Sequence, residues 1–499
     1  IRRRHAVSAR LRPIELYTSS LPGAGVRRER HNSGRGVRPV VTVLGIDDTD
    51  SRTAGMCSTY LAAQVAEAIE DAGDTVHRRL LVRLNPAVEH KTRGNAALAL
   101  HTDACPGDAL AIASDLVERY AVDTDPRTSP GVVVADRDPA AVPDRVAAFA
   151  REAVREFHDL STALALADEA GFDHRGWGAD GDGATRATAD GDDAGRVTGR
   201  GRIGALAAVG AWRAFDDWTY EHISYREFDR CGTPREVDEA SVFAAAEEAY
   251  PSAWDTVDRG EGEAVCVPNA PGPILHGIRG DDPDAVRSVA DGIDGEPVER
   301  SALFVTNQGT DVHLRDLSEC DRDGLRDGRA YRVDVEVASA PETRRGGHVF
   351  FEAIAPEAAG AGDDLDGADS EAAAIDCVAF EPTKRFRDRI RDLRVGDRLT
   401  LCGEVAEGTL KLEKFAVRDL VETESVVPTC PDCGRSMESA GANQGYRCRN
   451  CGTDEPGKVA ASVARDLDAG WYEVPPCARR HISKPLVRGG FDAPTHPEQ

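Results

Sequence analysis

The sequence predicts a multidomain α+β protein, and three observations carry that reading. Its 499 residues exceed what one core usually holds and point to about three to five domains. Residues 39–157 alternate strand-like and helix-like apolar patterns, whereas from Ala330 short strands follow one another. Near the carboxyl end, two Cys-x-x-Cys pairs mark a small module held by a metal.

Composition narrows the partners. The net charge is −26, and Lys occurs only at Lys91, Lys384, Lys411, Lys414, Lys458 and Lys484, Arg supplying the other cations. Such a surface suits molar salt, where the Debye length is about 3 Å, so acidity does not exclude a nucleic acid. No apolar run approaches the roughly 20 residues of a membrane helix, and the chain is expected to work without a membrane. Eight of the twelve Cys are scattered and four cluster, which suits a reducing cytoplasm and no disulfide framework. Residues 1–38 carry Arg2, Arg3, Arg4, Arg27, Arg28 and Arg30 but no initiator Met and no signal-peptide core. They read as a basic, disordered extension or the product of a misplaced start, and stand outside the fold.

The first element organises the rest. Val40 to Ile46 is a β-branched run, a buried strand, and it ends in Asp47, Asp48, Thr49, Asp50 and Ser51. Three carboxylates so close repel one another, and a hard cation such as the Mg²⁺ of a nucleotide would compensate them; a solvated Asp-rich turn is the plainer reading. A helix is expected over 56–72, then a strand over 75–84. Lys91, Thr92, Arg93 and Asn95 follow in a Gly-containing loop that can hold phosphate oxygens, Arg as a fork and Lys as a point charge. Next come a strand (96–101), a helix (109–120), a strand (131–135) and a helix (143–157). Residues 178–195 form a Gly, Asp and Ala-rich insert expected to be disordered. The glycines of Gly199-Arg200-Gly201-Arg202-Ile203-Gly204 open a helix and allow either a phosphate or close packing. A strand over 219–226 carries Glu221, residues 271–280 read as a turn-rich loop, and residues 304–311 give a second polar cluster after an apolar strand.

Five strands at 331–337, 348–354, 375–380, 398–405 and 410–417 fit an OB-type barrel with an acidic insert at 355–374. Between its strands, Lys384, Arg385, Arg387, Arg389, Arg391 and Arg394 form a basic segment, either an RNA contact or a solvated helix face. Cys430, Cys433, Cys448 and Cys451, two knuckles 14 residues apart and each followed by Gly, fit a structural zinc ribbon. Trp471 and Tyr472 near Arg479, Arg480 and His481 suit stacking on RNA or docking on the core.

Taken together, GIDDTDS, GMCSTYL, RLNPAVEHKTRGN, GRGRIGALAAVG, TYEHISYR, PGPILHGIRG, FVTNQGTDVHL, the barrel and the ribbon resemble the archaeal tRNA(Ile) agmatidine synthetase family, haloarchaeal type. The resemblance spans about residues 40–487. It implies a kinase-like ATP-binding domain (39–157), a ferredoxin-like domain (158–320), an OB fold (321–425), a zinc ribbon (426–456) and a tRNA-contacting tail (457–499). It also implies an ATP-dependent ligase that attaches agmatine to C2 of the wobble cytidine of tRNA(Ile) with a CAU anticodon. The tRNA then decodes AUA, and ATP becomes AMP and diphosphate.

By the same resemblance Asp47, Asp48 and Asp50 hold Mg²⁺ and the reacting phosphate, and Ser58 matches a phosphorylated Thr, with Thr59 as its neighbour. Thr49, Ser51, Lys91, Thr92, Arg93 and Asn95 contact ATP; Gly201, Gly204, Glu221, Gly277 and Asp311 lie about the agmatine. ATP, Mg²⁺ and Zn²⁺ are the expected cofactors, and no obligate protein partner is implied. Two other readings stand beside it: an OB and zinc-ribbon protein that binds RNA without catalysis, and a small-molecule phosphotransferase. The chain has neither a GxxxxGKS/T P-loop nor an SGGxDS loop, so its nucleotide site is of another design.

Overall fold

The computed structural model describes residues 41–51, 56–89, 91, 94–121, 125, 127–178, 198–317, 324–354 and 374–498. The basic extension, Thr92, Arg93 and almost all of both inserts lie outside them.

The amino-terminal half contains β1 (Thr42–Asp47), α1 (Ser58–Asp71), β2 (Val76–Arg83), β3 (Ala96–Thr102), α2 (Pro106–Tyr120), β4 (Gly131–Ala135), α3 (Asp144–Ala153), α4 (Leu160–Ala170), β5 (Asp173–Gly176) and α5 (Arg202–Ala214). After them come β6 (Thr219–Arg226), α6 (Glu239–Ala249), β7 (Ala253–Trp254), β8 (Ile274–Gly280), α7 (Pro283–Asp291) and β9 (Val298–Thr306). Their strands form one nine-stranded sheet, ordered β5-β4-β1-β3-β2-β9-β6-β8-β7.

β1 is buried on both faces, which is why its apolar run does not alternate with polar residues. Leu44 and Ile46 pack with Leu61 and Val65 of α1 and Val117 of α2, while Val43 joins Ala205 and Val209 of α5. Unlike a parallel sheet, β1 is antiparallel to both β3 and β4, yet its carboxyl end still carries the Asp loop. β5 and α5 follow the boundary expected after Phe157 but pack on the β1–β4 half. The remainder, β6-α6-β7-β8-α7-β9 with strand order β9-β6-β8-β7, is the ferredoxin-like split βαβ arrangement. The two halves meet where β2 runs parallel to β9.

The turn-rich loop expected over 271–280 becomes strand β8 from Ile274 onward. Leu275 and Ile278 are buried, and the two glycines that suggested a turn instead admit neighbours: a Cβ on Gly280 would stand 2.3 Å from the Ser252 carbonyl oxygen.

The barrel is preceded by β10 (Leu314–Asp316) and is built from β11 (Ala330–Val337), β12 (Glu342–Thr343), β13 (Val349–Ile354), β14 (Ile375–Ala379), α8 (Phe386–Arg391), β15 (Arg398–Ala406) and β16 (Thr409–Asp419). Its ring closes through β11-β13-β14-β16-β15-β11, with β14 and β16 parallel, which is an OB fold. The ribbon comprises β17 (Thr423–Val426), β18 (Glu438–Ser439), β19 (Tyr446–Arg447), β20 (Asp454–Glu455) and β21 (Val459–Ser462). In the tail, β22 (Gly470–Glu473) pairs with β16, and β23 (Thr495–His496) pairs with β22. Trp471 and Tyr472 are thus buried against the barrel and not free to stack on RNA.

Ion pairs fasten these pieces. The basic segment around α8 is largely used up internally: Arg385 bonds Asp258 and Glu498, Arg389 bonds Asp466, and Arg391 pairs with Asp388. The buried Arg479 joins Asp255 before β8 to Glu473 of β22. Among the described residues, no helix is long and apolar enough to cross a membrane.

Candidate active site and zinc ribbon

One cleft of about 1060 Å³ opens where the two half-sheets and the barrel meet. Its walls include Asp47, Asp48, Asp50, Ser58, Thr59, Lys91, Asn95, Gly201, Gly204 and Glu221. Segments far apart in sequence therefore reach one space, as β1 and the start of α5 pack together.

At its head stands the Asp loop. Asp48 adopts a left-handed φ of 59°, a conformation Asp tolerates better than most residues. Its backbone N–H donates to Asp47 Oδ1 at 2.6 Å. Its carboxylate accepts from Arg200 Nη2 at 2.8 Å, and Arg200 is itself fixed by its N–H to Ser129 Oγ and by Nη2 to the Arg127 carbonyl. Burial pushes the Asp48 carboxyl up to about 7 even with the Arg200 guanidinium opposing it, and Asp50 adds to the rise. Asp47 is also held well above the usual carboxylate range, first by burial and then by Asp48. Arg200 opposes both rises, and the net shift of each carboxyl is still upward.

Several expected ATP contacts lie beneath this loop. Thr49 and Ser51 are fully buried. Ser51 Oγ donates to Asp125 Oδ2 at 2.8 Å, while Thr49 bonds Ser58 Oγ through both its N–H and its hydroxyl. Ser58 opens α1, and Thr59 beside it accepts or donates to Cys57 Sγ at 3.1 Å. Lys91 Nζ donates to the Pro86 carbonyl, and Asn95 Nδ2 donates to the Asn85 carbonyl at 2.6 Å.

Glu221 lies on the floor between two guanidinium groups, Arg279 at 3.5 Å and Arg83 at 3.9 Å, and accepts from Gln308 Nε2. Gly277 leaves room for it, since a Cβ there would stand 3.0 Å from Glu221 Oε1. Asp311 is elsewhere. It pairs with Lys414 of β16 and accepts the Lys484 N–H, so it joins the barrel and tail to β9's loop and does not line the cleft.

Sequence reading gave four participants no place in the cleft. Arg83 donates its N–H to Asn307 Oδ1 and its Nε to Gln308 Oε1. Arg200 was visible only as one letter of a Gly-rich motif. Arg480 and His481, read as part of a tail, line the cleft; Arg480 is held by Glu404 and Glu413. Their signal was the pairing of cations with acids on other domains, which a linear sequence does not display.

The ribbon fits zinc. The four Cys sulfurs all lie within 4.8 Å of one another, close to the edges of about 3.8 Å that zinc–thiolate bonds of about 2.3 Å impose. Each knuckle closes on itself, Gly434 N–H to the Cys430 carbonyl and Gly452 N–H to that of Cys448. It is the sole group of three or more potential metal ligands that converge among the described residues; the three Asp carboxylates do not converge in this way.

Comparison with known proteins places these parts. The TiaS TCKD domain model matches residues 43–114, the TiaS FLD domain model 199–313, and the TiaS C-terminal zinc ribbon model 427–467. The tRNAIle2 2-agmatinylcytidine synthetase TiaS of Haloquadratum walsbyi is 55% identical over 484 residues, covering 92% of this chain and 100% of the relative. The crystal structure of a TiaS–tRNAIle2–ATP complex superposes with a TM-score of 0.77 at 38% identity, covering 92% of this chain and 100% of that one. A TiaS–tRNAIle2–AMPCPP–agmatine complex gives 0.75 at 36% identity over the same shares. The chain belongs to the tRNAIle2 2-agmatinylcytidine synthetase family.

Proposed function

We propose that this chain joins agmatine to C2 of the wobble cytidine of tRNA(Ile) with a CAU anticodon, converting ATP to AMP and diphosphate. The observation that carries it is the convergence, in one cleft, of the Asp loop, Ser58, Lys91 and the glycine-opened helix α5. Similarity to complexes that contain tRNAIle2, ATP or its analogue, and agmatine supports the same substrates.

The chemistry asks for little covalent work and much charge management. The C2 carbonyl oxygen of cytosine leaves poorly, so after water splits ATP to AMP and diphosphate, one phosphoryl group of the diphosphate would pass to that oxygen, freeing the other as phosphate; the primary amine of agmatine would then attack C2, and the oxygen would leave with its phosphoryl group as a second phosphate. Asp47, Asp48 and Asp50 would turn towards a Mg²⁺ that arrives with the nucleotide, which would neutralise phosphate charge and ease the repulsion among them. Ser58 offers the hydroxyl that would carry a phosphoryl group, at a helix N-terminus that favours one. Lys91, Thr92, Arg93 and Asn95 would contact the phosphates, with Thr49 and Ser51 shaping the loop from below.

For agmatine, Gly201 and Gly204 line the cleft beside the Asp loop, and Glu221 would meet it on the floor, with Gly277 making room for the Glu221 carboxylate. Asp311 would act at a distance, by fixing the loop that bears Gln308. The zinc ribbon, whose four Cys do not line the cleft, would grip the tRNA outside it, while the tail would meet the tRNA at the cleft through Arg480 and His481.

The test is incorporation of labelled agmatine into a tRNA(Ile) CAU transcript in concentrated KCl with Mg²⁺. Incorporation that requires ATP supports the proposal. Tight tRNA binding without incorporation favours a non-catalytic RNA-binding protein.

A further inference from the structure

We infer that Phe157 is a platform on which an unpaired nucleobase stacks at the mouth of the cleft, a role that rests on the nucleic-acid substrate proposed above. Among the described residues the exposed large apolar side chains are Phe157, Phe228, Val298, Val395 and Val427. Of these, Phe157 is the one that lines the cleft, and it is 52% exposed.

The ring is exposed but its surroundings are fixed. On either side in the chain, Arg155 Nε donates to the Val312 carbonyl at 2.6 Å, Glu156 pairs with Arg315 and Arg329, and the His158 ring packs on Phe149 at 4.5 Å. Gly328 backs the ring: a Cβ there would stand 2.6 Å from its Cε2 and Cζ atoms. Gly328 has a φ of +77°, its N–H donates to the Val405 carbonyl at 2.8 Å, and its own carbonyl accepts from Asn85 Nδ2 at 3.1 Å. One side of the ring thus rests on anchored backbone, and the remainder is open.

The charge around it selects the ligand. Asp327 and Glu407 also line the cleft, and Glu156 is neutralised by Arg315 and Arg329, so the surroundings of the ring offer a phosphate no excess of cations and suit the uncharged face of a base. Stacking on an aromatic ring is tolerant of sequence and suits a nucleotide drawn out of its own stack. The same chemistry could come from a base beside the target cytidine or from the adenine of ATP, and the experiment separates them.

Binding of an anticodon stem-loop RNA and of ATP is measured separately on the full-length protein in concentrated KCl, with thermal midpoints to confirm folding. Phe157→Ala is expected to weaken the RNA roughly 10- to 100-fold and leave ATP unchanged, which assigns the stack to RNA; the opposite pattern assigns it to adenine. Phe157→Trp restores binding in either case, whereas Phe157→Leu, apolar but without a π face, does not. Unchanged binding of both ligands by the folded Ala variant overturns the inference, as does full restoration by Leu. Neither readout needs agmatine transfer, so a failure of the proposed ligation leaves this result decided.

Discussion

Gly204 lies so close to Asp47 that a Cβ at Gly204 would stand 1.9 Å from Asp47 Oδ2. Helix α5 therefore sets the position of the first carboxylate in the loop. Adding a methyl group must turn that carboxylate or lift the helix from β1. Gly204→Ala is expected to slow single-turnover agmatine transfer by about 100-fold, the scale of an ångström of misplacement at a reacting group, with tRNA affinity within about twofold as measured by filter binding.

Burial of Asp47 makes a second prediction. Its carboxyl is held above the ordinary value, so the folded state binds this proton more tightly than the unfolded state. Stability is then fully present below about pH 4 and is lost as pH rises toward the folded value. Asp47→Asn keeps the oxygen that accepts the Asp48 N–H and removes the charge. Its thermal midpoint is expected to equal the wild type's near pH 4 and to exceed it at pH 8 by on the order of 2 °C, while transfer is abolished.

Asp48 and Arg200 form an electrostatic pair in the metal-free protein. Burial raises the Asp48 carboxyl to about 7 against the Arg200 guanidinium. Arg200→Ala removes the group that opposes this rise. The midpoint of the Asp48 carboxyl titration, followed by carboxyl-carbon NMR without Mg²⁺, is expected to move upward by about one unit.

The zinc ribbon is predicted to matter for RNA and not for the cleft. Its Cys ligands contribute no wall to the cavity. Removing zinc with a chelator, or Cys448→Ser, is expected to expose the ribbon to proteolysis and weaken tRNA binding at least tenfold, with ATP and agmatine affinities changed by less than about twofold; isothermal titration of each ligand checks it. The split follows from a closed Cys₄ site, which is structural and activates no water.

Much of this architecture was legible because local chemistry repeats along the chain. β1 announced itself by a β-branched run that stops at Asp47, and the ribbon by its Cys spacing. The barrel strands lay within a few residues of where they were expected, since β11 and β13 alternate in burial and β15 is a continuous apolar run. Residues whose meaning is a contact were harder to read. Ile274 to Gly280 looked like a turn because its glycines are spaced for neighbours, not for bends. The Arg-rich stretch around α8 read as either an RNA contact or a solvated helix face, and its acids, Asp258, Asp466 and Glu498, come from other parts of the fold. Asp311 looked like a ligand group, yet its partner Lys414 is 103 residues away. Arg480 and His481 entered the cleft through a tail whose pairing with β16 no linear pattern displays.

The most direct measurement is mass spectrometry of nucleosides from tRNA(Ile) CAU transcript after reaction with ATP, Mg²⁺ and agmatine, beside elongator tRNA(Met) and the Asp48→Ala variant. The account predicts agmatine on the wobble cytidine of tRNA(Ile) alone, formed by the wild type and not by the variant. Modification by Asp48→Ala at the wild-type rate, or equal modification of tRNA(Met), would contradict it.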